Sequence, residues 1–363
     1  MGLQLGIVGL PNVGKSTLFN ALSAAGAEAA NYPFCTIEPN VGVVPVPDPR
    51  LEQLQKLVNS KQVVPTTVDF VDIAGLVRGA SKGEGLGNQF LGNIRSTDAI
   101  VHVVRCFADD NVVHVEGRVD PLSDIAIIDT ELALKDLETI EKRRSKVDKQ
   151  AKADKTLRVE ADLLARLDAH VGAGKPARTF VYEAPEADIF RSLFLLTAKP
   201  VVYAANVDEG SLPDGNAHSD VVKAHAEAEG SRVVVISAAI EAEIATIDEA
   251  ERADFLDGLG LTESGLDRLI HEGYGLLGLI TYFTAGPKEI RAWTIHRGMK
   301  APQAAGVIHT DFERGFIRAE VIKLADYIEL GSEAAVKAKG KMGVEGKEYV
   351  VADGDIMHFR FNV

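Results

Sequence analysis

The chain has 363 residues, a length that favours two or three domains over one. Its composition, with 46% apolar, 25% charged and 6% aromatic residues, is typical of a folded globular protein and excludes a disordered or fibrous chain. A formal net charge of −14 argues against a protein that coats nucleic acid indiscriminately, so we expect no DNA partner.

Cysteine content and hydropathy limit the class of protein further. The two cysteines, Cys35 and Cys106, are too few for a disulfide framework or a four-ligand zinc site. No stretch resembles a secretory signal, and the longest apolar run, Leu193–Ala205, is short and interrupted by Lys199 and Pro200. We therefore expect a cytoplasmic protein with no membrane partner.

Short apolar runs predict the strands of a mostly parallel sheet with helices on both faces. In the first hundred residues or so the runs are Leu3–Val8, Thr66–Val71 and Ala99–Val104. Two similar runs come much later, at Pro200–Ala204 and Arg232–Ile236. This gap predicts an α/β domain that is interrupted by an insertion.

The insertion begins near Pro121, where apolar residues start to recur at helical spacing. The pattern predicts two antiparallel helical arms with a polar tip at Glu141–Asp154. Residues Glu141–Glu160 include eight basic and four acidic side chains, a local charge of +4. A docking surface and an ordinary solvated tip both remain open for this stretch.

The last part of the chain has a different character. An acidic helical stretch, Glu241–Asp257, and a helix-like segment around Ser264–Leu277 precede sequence that is rich in strands and turns. We therefore predict an α/β domain made of residues 1–120 and 197–277, a helical insertion at 121–196, and a small C-terminal domain at 278–363.

The strongest motif is Gly9–Ser16, a G-x-x-x-x-G-K-S sequence between a predicted strand and a predicted helix. In such a phosphate loop, backbone N–H groups surround the phosphates, Lys15 reaches the β and γ oxygens, and Ser16 ligates magnesium. Lys15 is thereby also a candidate catalytic residue. The residues that we expect to bind nucleotide here are Asn12, Val13, Gly14, Lys15, Ser16 and Thr17.

A second element supports the first. The stretch Asp69–Gly75 ends an apolar strand and contains D-x-x-G, in which Asp72 holds the magnesium shell and the Gly75 N–H meets the γ-phosphate. Between the two motifs, Thr36 is the candidate for a second magnesium-ligating hydroxyl. The predicted cofactor is therefore Mg²⁺, held by Ser16, Thr36 and Asp72.

Taken together, these motifs resemble the Obg-related branch of translation-factor nucleotidases. The stretches Arg105–Phe107, Asn206–Glu209 and Ala301–Phe312 are similar to the YchF subfamily, the Obg-like ATPases, and the likeness extends over essentially the whole chain. The resemblance implies a Ras-like phosphate-loop domain, an inserted helical coiled-coil arm and a C-terminal α+β TGS domain of β-grasp type. It also implies a ribosomal partner, either the large subunit or a 70S-type particle, and structured RNA.

The residues at the base site predict which nucleotide is bound. Guanine-specific relatives use N-K-x-D, whose aspartate accepts hydrogen bonds from guanine, whereas this chain has Asn206, Val207, Asp208 and Glu209. The lysine is missing and the longer Glu209 carboxylate is displaced from the guanine edge, so discrimination for guanine should fail. We predict ATP over GTP. The backbone of Ser237, Ala238 and Ala239 is expected to cover the base.

Catalysis lacks one residue that Ras-like enzymes use. Leu76 replaces the glutamine that orients the attacking water, so intrinsic turnover should be slow. Asn12 is a candidate to hold K⁺ in place of an arginine finger, the alternative being that it only shapes the loop. His114 is a candidate to position the water, the alternative being an ordinary surface histidine.

Three functions remain open on the sequence. The first is a slow, regulated ATPase switch that binds ribosomes and acts on translation or a stress response. The second is a binding scaffold whose nucleotide sets conformation and whose hydrolysis is incidental, and the third is a GTPase of the same branch. A basic face on the C-terminal domain would support RNA contact, although scattered surface charge is the alternative; its candidate members are Arg291, His296, Arg297, Lys300, Arg314 and Arg318.

Overall fold

The computed structural model describes residues 3–26, 40–73, 86–109 and 111–362. The strands, in chain order, are β1 (Gln4–Val8), β2 (Val41–Pro45), β3 (Val63–Val64), β4 (Thr67–Asp72), β5 (Ala99–Arg105), β6 (Val201–Asn206), β7 (Arg232–Ile236), β8 (Leu279–Ala285), β9 (Ile290–His296), β10 (Phe316–Lys323), β11 (Gly343–Glu345) and β12 (Asp355–Phe361). The helices are α1 (Lys15–Gly26), α2 (Pro49–Val58), α3 (Leu86–Ser96), α4 (Pro121–Gln150), α5 (Arg158–Gly172), α6 (Ala187–Ser192), α7 (Ala217–Glu229), α8 (Ala238–Ile244), α9 (Glu249–Gly258), α10 (Gly265–Leu276), α11 (Ala301–Ile308), α12 (Thr310–Arg314), α13 (Leu324–Leu330) and α14 (Glu333–Ala338).

The chain divides into two compact units. The first contains the described residues up to Val44 and those between Asp69 and Glu272, and the second contains residues 45–68 and 273–362. No described helix is both long enough and apolar enough to cross a membrane.

The first unit is built on a six-stranded sheet with the order β2-β4-β1-β5-β6-β7. Strand β1 pairs in parallel with β4 and β5, and β6 pairs in parallel with β5 and β7. All seven residues of β5 and all six of β6 are buried, as expected for central strands of a parallel sheet covered on both faces. The predicted α/β class is confirmed. Five of the six strands fall on the five apolar runs, whereas β2 was not predicted.

Helices α4 and α5 follow one another where the sequence predicts a helical pair, and we call these two helices the arm. Helix α4 begins with Pro121 in its first turn, and the Asp120 side chain accepts a hydrogen bond from the Ser123 N–H at 3.2 Å, an N-cap that fixes its start. The two helices pack through buried side chains that include Ile140, Val147, Leu163, Leu164, Leu167 and Val171.

Two arginines of the predicted tip join the arm helices to each other. Arg143 Nε lies 2.5 Å from Glu160 Oε1, and Arg144 Nη1 lies 2.6 Å from Asp168 Oδ2. We call residues 146–155, where α4 ends and the chain turns towards α5, the arm tip. Its four lysines are exposed, and none of them forms an ion pair within the described residues: Lys146, Lys149, Lys152 and Lys155.

The second unit contains a mixed six-stranded sheet with the order β11-β10-β12-β8-β9-β3. Pairs β10/β11, β10/β12 and β8/β9 are antiparallel, whereas β12/β8 and β9/β3 are parallel. One part of its core lies under α11 and includes Tyr282, Ala301, Ala304 and Met357.

Residues 45–68 correct the predicted domain division, in which they belong to the α/β domain. In the structure Leu51 and Leu54 of α2 are buried with Phe283, Ile290 and Ile356 of the C-terminal strands. Strand β3 pairs with β9 at the edge of the same sheet. This segment therefore supplies one helix and one strand to the second unit, and that unit starts at Gly273 on the C-terminal side.

Candidate functional site

The predicted site residues that the structure describes gather at one edge of the first sheet. The phosphate loop follows β1, Asp72 ends β4, Arg105 ends β5, Asn206 ends β6 and Ser237 follows β7. Because these strands are parallel neighbours, their carboxyl ends lie side by side, the usual place for ligands in open α/β sheets.

The two glycines of the phosphate loop are required by space and by backbone angle. Gly14 has φ of 95°, and a Cβ at this position would lie 2.2 Å from Asn206 Nδ2. A Cβ on Gly9 would lie 2.7 Å from the Val103 carbonyl oxygen. Any larger residue would push the loop away from the strand ends, so the local sequence fixes a loop whose N–H groups remain available.

A cavity of about 550 Å³ opens beside this loop, within the usual size range of small-molecule sites. Val13 does not line the cavity and is instead buried in the core. The lining residues are Leu10, Pro11, Asn12, Gly14, Lys15, Ser16, Thr17, Phe107 and Val112.

Lys15 and Asp72 form an ion pair at the cavity, although 57 residues separate them in the chain. The cation that would hold the β and γ phosphate oxygens therefore lies beside the carboxylate that would hold the magnesium shell. The Ser16 hydroxyl lines the same cavity, and hydroxyl and carboxylate oxygens are ligands that Mg²⁺ prefers. Ser16 and Asp72 thus fit a magnesium ion chemically.

Asn206 connects the phosphate loop to the loop after β7. Its Nδ2 donates to the Val13 carbonyl at 2.9 Å, and its Oδ1 accepts from the Ala238 N–H at 2.9 Å. The side chain is 4% exposed. One donor hydrogen and one acceptor lone pair of the amide remain for a base.

The other predicted base-site residues lie at the ends of β6 and β7. Val207 is buried, and its N–H donates to the Ile236 carbonyl at 2.8 Å. Glu209 is exposed in a single turn of 3₁₀ helix. Ser237 is buried ahead of α8, where Ala238 is buried and Ala239 is exposed.

Asn12 and His114 lie in neighbouring loops but have different environments. Asn12, whose φ is 63°, donates from Nδ2 to the Val113 carbonyl at 3.0 Å. His114 is buried, and its Nε2 lies 2.9 Å from Asp124 Oδ2 on α4. The Glu116 N–H donates to His114 Nδ1 at 3.1 Å, so Nδ1 carries no proton and Nε2–H donates to the carboxylate. Both ring nitrogens are therefore engaged, and the alternative of an ordinary surface histidine is wrong.

Two buried residues, Arg105 and Asp124, position loops next to the cavity and were not predicted from the sequence. Arg105 is buried, and its guanidinium donates to the carbonyls of Asn12 at 3.4 Å, Phe107 at 3.1 Å and Asp109 at 3.3 Å. It also stacks over the Phe107 ring, with 4.5 Å between Cζ and the centroid. The sequence signal that could have identified Arg105 is its position as a charged residue at the end of an apolar strand. Arg105 fixes the loop that presents Phe107 to the cavity.

Asp124, the partner of His114, was also missed. Burial raises the pKa of its carboxyl, and the hydrogen bond to His114 opposes that rise. The neighbouring Cys106 is buried as well, and burial raises the pKa of its thiol to about 12, so it is an unreactive core residue. Two predicted site residues, Thr36 and Gly75, lie outside the described residues, as does Leu76.

Family models match both ends of the chain. Residues 4–157 match the MMR_HSR1 model, described as "50S ribosome-binding GTPase". Residues 279–362 match the YchF-GTPase_C model, described as a protein of unknown function.

Similar proteins cover the whole chain. A Bacillus subtilis protein named "Ribosome-binding ATPase YchF" is 56% identical over all of both chains, and one of that name from Escherichia coli O157:H7 is 57% identical over all of both chains. The solved structure of the Schizosaccharomyces pombe YchF GTPase superposes with a TM-score of 0.90 at 41% identity, covering 99% of this chain and 98% of that one. A GTP-binding protein from Pyrococcus horikoshii OT3, at 22% identity and a TM-score of 0.61, shares the fold.

The sheet edge, the phosphate loop and the Lys15–Asp72 pair define a phosphate-loop nucleotidase with a G-type domain. Within that class, the full-length identity assigns the chain plainly: it belongs to the YchF family.

Proposed function

We propose that the protein binds and slowly hydrolyses ATP, prefers ATP to GTP, and uses the nucleotide as a switch while it is bound to ribosomes. The base site carries the choice of nucleotide, since Val207 and Glu209 replace the lysine and aspartate with which relatives select guanine. The buried side chain of Val207 offers neither a cation nor a hydrogen-bonding group to a base. Asn206 retains a donor and an acceptor, and adenine presents both kinds of group.

At the phosphate end, Lys15 would bind the β and γ oxygens while the loop N–H groups surround the phosphates. Ser16, Asp72 and Thr36 would hold Mg²⁺, which neutralises charge on the transferred phosphoryl group when it is bound. The Gly75 N–H would contact the γ-phosphate. The ion pair between Lys15 and Asp72 supports this assignment, because it places the Asp72 carboxylate beside Lys15, which lines the cavity.

Hydrolysis requires a group that orients water, since Leu76 offers none. We assign this role to His114, on the loop whose Val112 lines the cavity. The ring must leave Asp124 to reach water, which explains a slow intrinsic rate. An H114A variant should lose turnover and keep ATP affinity; turnover equal to that of the wild type would contradict the assignment.

Asn12 is the proposed ligand of K⁺. Its Nδ2 is engaged with Val113, which leaves Oδ1 as the ligating atom. Replacing K⁺ by Na⁺ should slow hydrolysis in the wild type. Equal rates in the two salts would remove K⁺ from the mechanism.

The partner is proposed to be a ribosomal particle, either a large subunit or a 70S-type ribosome, with structured RNA as the surface recognised and the cytoplasm as the location. Relatives at 56–57% identity are named ribosome-binding. The arm tip offers four exposed lysines on a chain of net charge −14, so its attraction for phosphate is local. Arg143 and Arg144 are already paired within the arm.

Co-sedimentation tests this surface. The triple variant K146E/K149E/K152E should lower the fraction of protein that pellets with ribosomes, and the loss should be larger at low salt. The control K56E/K61E/K175E reverses three exposed lysines outside the arm tip and should pellet like the wild type. Equal pelleting of both variants would exclude the arm tip.

The base site is tested by restoring the guanine-selective residues. The double variant V207K/E209D should gain GTP affinity by about tenfold or more relative to ATP, because one well-placed charged hydrogen bond is worth about 1.5–3 kcal/mol. The single variant E209Q removes the carboxylate without rebuilding the site and serves as the control. An unchanged preference in the double variant would refute the argument from these residues.

A further inference from the structure

In the loop that carries His114, apolar side chains are exposed and a polar side chain is buried. Val113 is 74% exposed and Val115 is 47% exposed, whereas His114 between them is 7% exposed. Valine is among the residue types most often buried, whereas histidine is intermediate. An arrangement with two valines in water and one imidazole inside must be held by specific contacts.

Those contacts converge on one residue of the arm. His114 Nε2 donates to Asp124 Oδ2, and Nδ1 accepts from a backbone N–H of its own loop. The second carboxylate oxygen, Asp124 Oδ1, is buried without a hydrogen-bond partner in the described part of the chain. A buried carboxylate with one oxygen unsatisfied is unfavourable by itself. The only side-chain hydrogen bond that Asp124 makes within that part is to His114.

The same loop is also connected to the nucleotide cavity. Val112 lines the cavity, and the Val113 carbonyl accepts the hydrogen bond from Asn12 of the phosphate loop. His114 is the next residue. Rotation of this segment would bury the valines and turn the imidazole outward, on a loop whose adjoining residues already lie at the cavity.

We propose that Asp124 is a positioning residue that retains His114 in a buried, hydrolytically idle place, and that loss of this contact releases the ring to the nucleotide cavity. The proposal rests on the water-orienting role of His114 proposed above. The new element is Asp124, which keeps the His114 ring away from the nucleotide cavity. The inactive state of this ATPase then depends on a specific contact between these two residues.

The position of Asp124 indicates how release is controlled. It lies in the first turns of α4, a single helix of 30 residues that extends about 45 Å at 1.5 Å per residue. The other end of that helix leads into the arm tip. A partner that binds the tip and tilts α4 therefore acts on the Asp124–His114 contact through one continuous element.

The retention step is tested without reference to catalysis. Diethyl pyrocarbonate modifies accessible imidazoles, and mass spectrometry of the peptide that contains His114 measures the rate at that residue. In D124A this rate should rise about tenfold or more, because the buried state loses its charged hydrogen bond. D124N, which keeps the shape of the side chain and an acceptor, should show a smaller rise and serves if D124A does not fold.

The control is D136N, which alters another buried aspartate of α4. Asp136 accepts hydrogen bonds from the backbone of Leu196 and Thr197 and has no contact with His114 among the described interactions. D136N should leave the modification rate of His114 unchanged. An equal rise in the modification rate of His114 in D136N and D124A would mean that both variants merely loosen the helix, and it would overturn the proposal.

ATP turnover measures the consequence. Without ribosomes, D124A should hydrolyse ATP about tenfold faster than the wild type, ribosomes should stimulate it less, and D124A/H114A should lose the gain. Unchanged modification of His114 in D124A overturns retention and leaves the proposed function standing. Faster modification combined with wild-type turnover in H114A supports retention and instead refutes the role of His114 in hydrolysis.

Discussion

Replacing Asn206 by alanine removes both ends of the bridge between the phosphate loop and the loop after β7. The Val13 carbonyl and the Ala238 N–H each lose a partner at 2.9 Å, in a region where Asn206 itself is almost fully buried. Leaving a buried polar group unsatisfied costs about 1–3 kcal/mol. The two losses together should lower the free energy of unfolding by about 2–6 kcal/mol.

Nucleotide binding should weaken in the same variant. Gly14 packs directly against the Asn206 amide, so the shape of the phosphate loop depends on that side chain. If the altered loop weakens the free energy of ATP binding by about 1.4 kcal/mol, ATP affinity drops about tenfold. Urea denaturation gives the stability change, and titration with a fluorescent ATP analogue gives the affinity.

Asn216 provides the matched control. Its Nδ2 donates to the Cys106 carbonyl at 2.8 Å and its Oδ1 caps α7, so N216A also removes an amide bridge, here a half-buried one. It should destabilise the protein by about 1–3 kcal/mol and leave ATP affinity unchanged. An N206A protein that unfolds at the wild-type urea midpoint and binds ATP normally would refute the reasoning.

Three further predictions concern other parts of the molecule. Burial raises the pKa of Glu241 to about 7 from about 4.5 in the unfolded chain. The contribution of Glu241 to stability is therefore complete below about pH 4.5 and is lost as the pH rises through about 7. Over that range, the difference in unfolding free energy between the wild type and E241Q should change by about 3 kcal/mol. R178M leaves Glu229 buried without its 2.9 Å ion pair and should cost about 3–5 kcal/mol in urea denaturation. L54A opens a cavity in the second unit and should cost about 2–5 kcal/mol, with faster hydrogen exchange in β8, β9 and β12 and unchanged exchange in β5 and β6.

The sequence predicted the first sheet well because its signals are local. Central strands of a parallel sheet read as continuous apolar runs, and β5 and β6 are fully buried. The phosphate loop was also predictable from the sequence. The positive φ of Gly14 and the close approach of the Asn206 side chain both require glycine at that position.

Long-range packing explains what the sequence did not reveal. Helix α2 lies early in the chain, yet Leu54 packs with Phe283 and Ile290, which no local pattern indicates. Likewise, the charge count at the predicted arm tip could not separate Arg143, which is paired with Glu160 across the arm, from lysines that form no ion pair within the part of the chain that the structure describes.

The environment of His114 could not be predicted from the sequence for a different reason. A histidine in a polar loop is ordinarily predicted to lie at the surface, and the two neighbouring valines would be predicted to lie inside. The structure reverses both placements because Asp124, ten residues later, holds the ring. Sequence rules describe the commonest environment of a residue, and functional loops are where that environment is most often overruled.

Competition between nucleotides is the most direct test of the central claim, which is that this family member is an ATP-directed phosphate-loop switch. Purified full-length protein is loaded with a fluorescent ATP analogue and Mg²⁺ and is then titrated with unlabelled ATP or GTP. We expect ATP to displace the probe at concentrations about tenfold or more below those of GTP, because the base site lacks the lysine and aspartate that recognise guanine. Equal displacement by the two nucleotides, or tighter binding of GTP, would contradict the account.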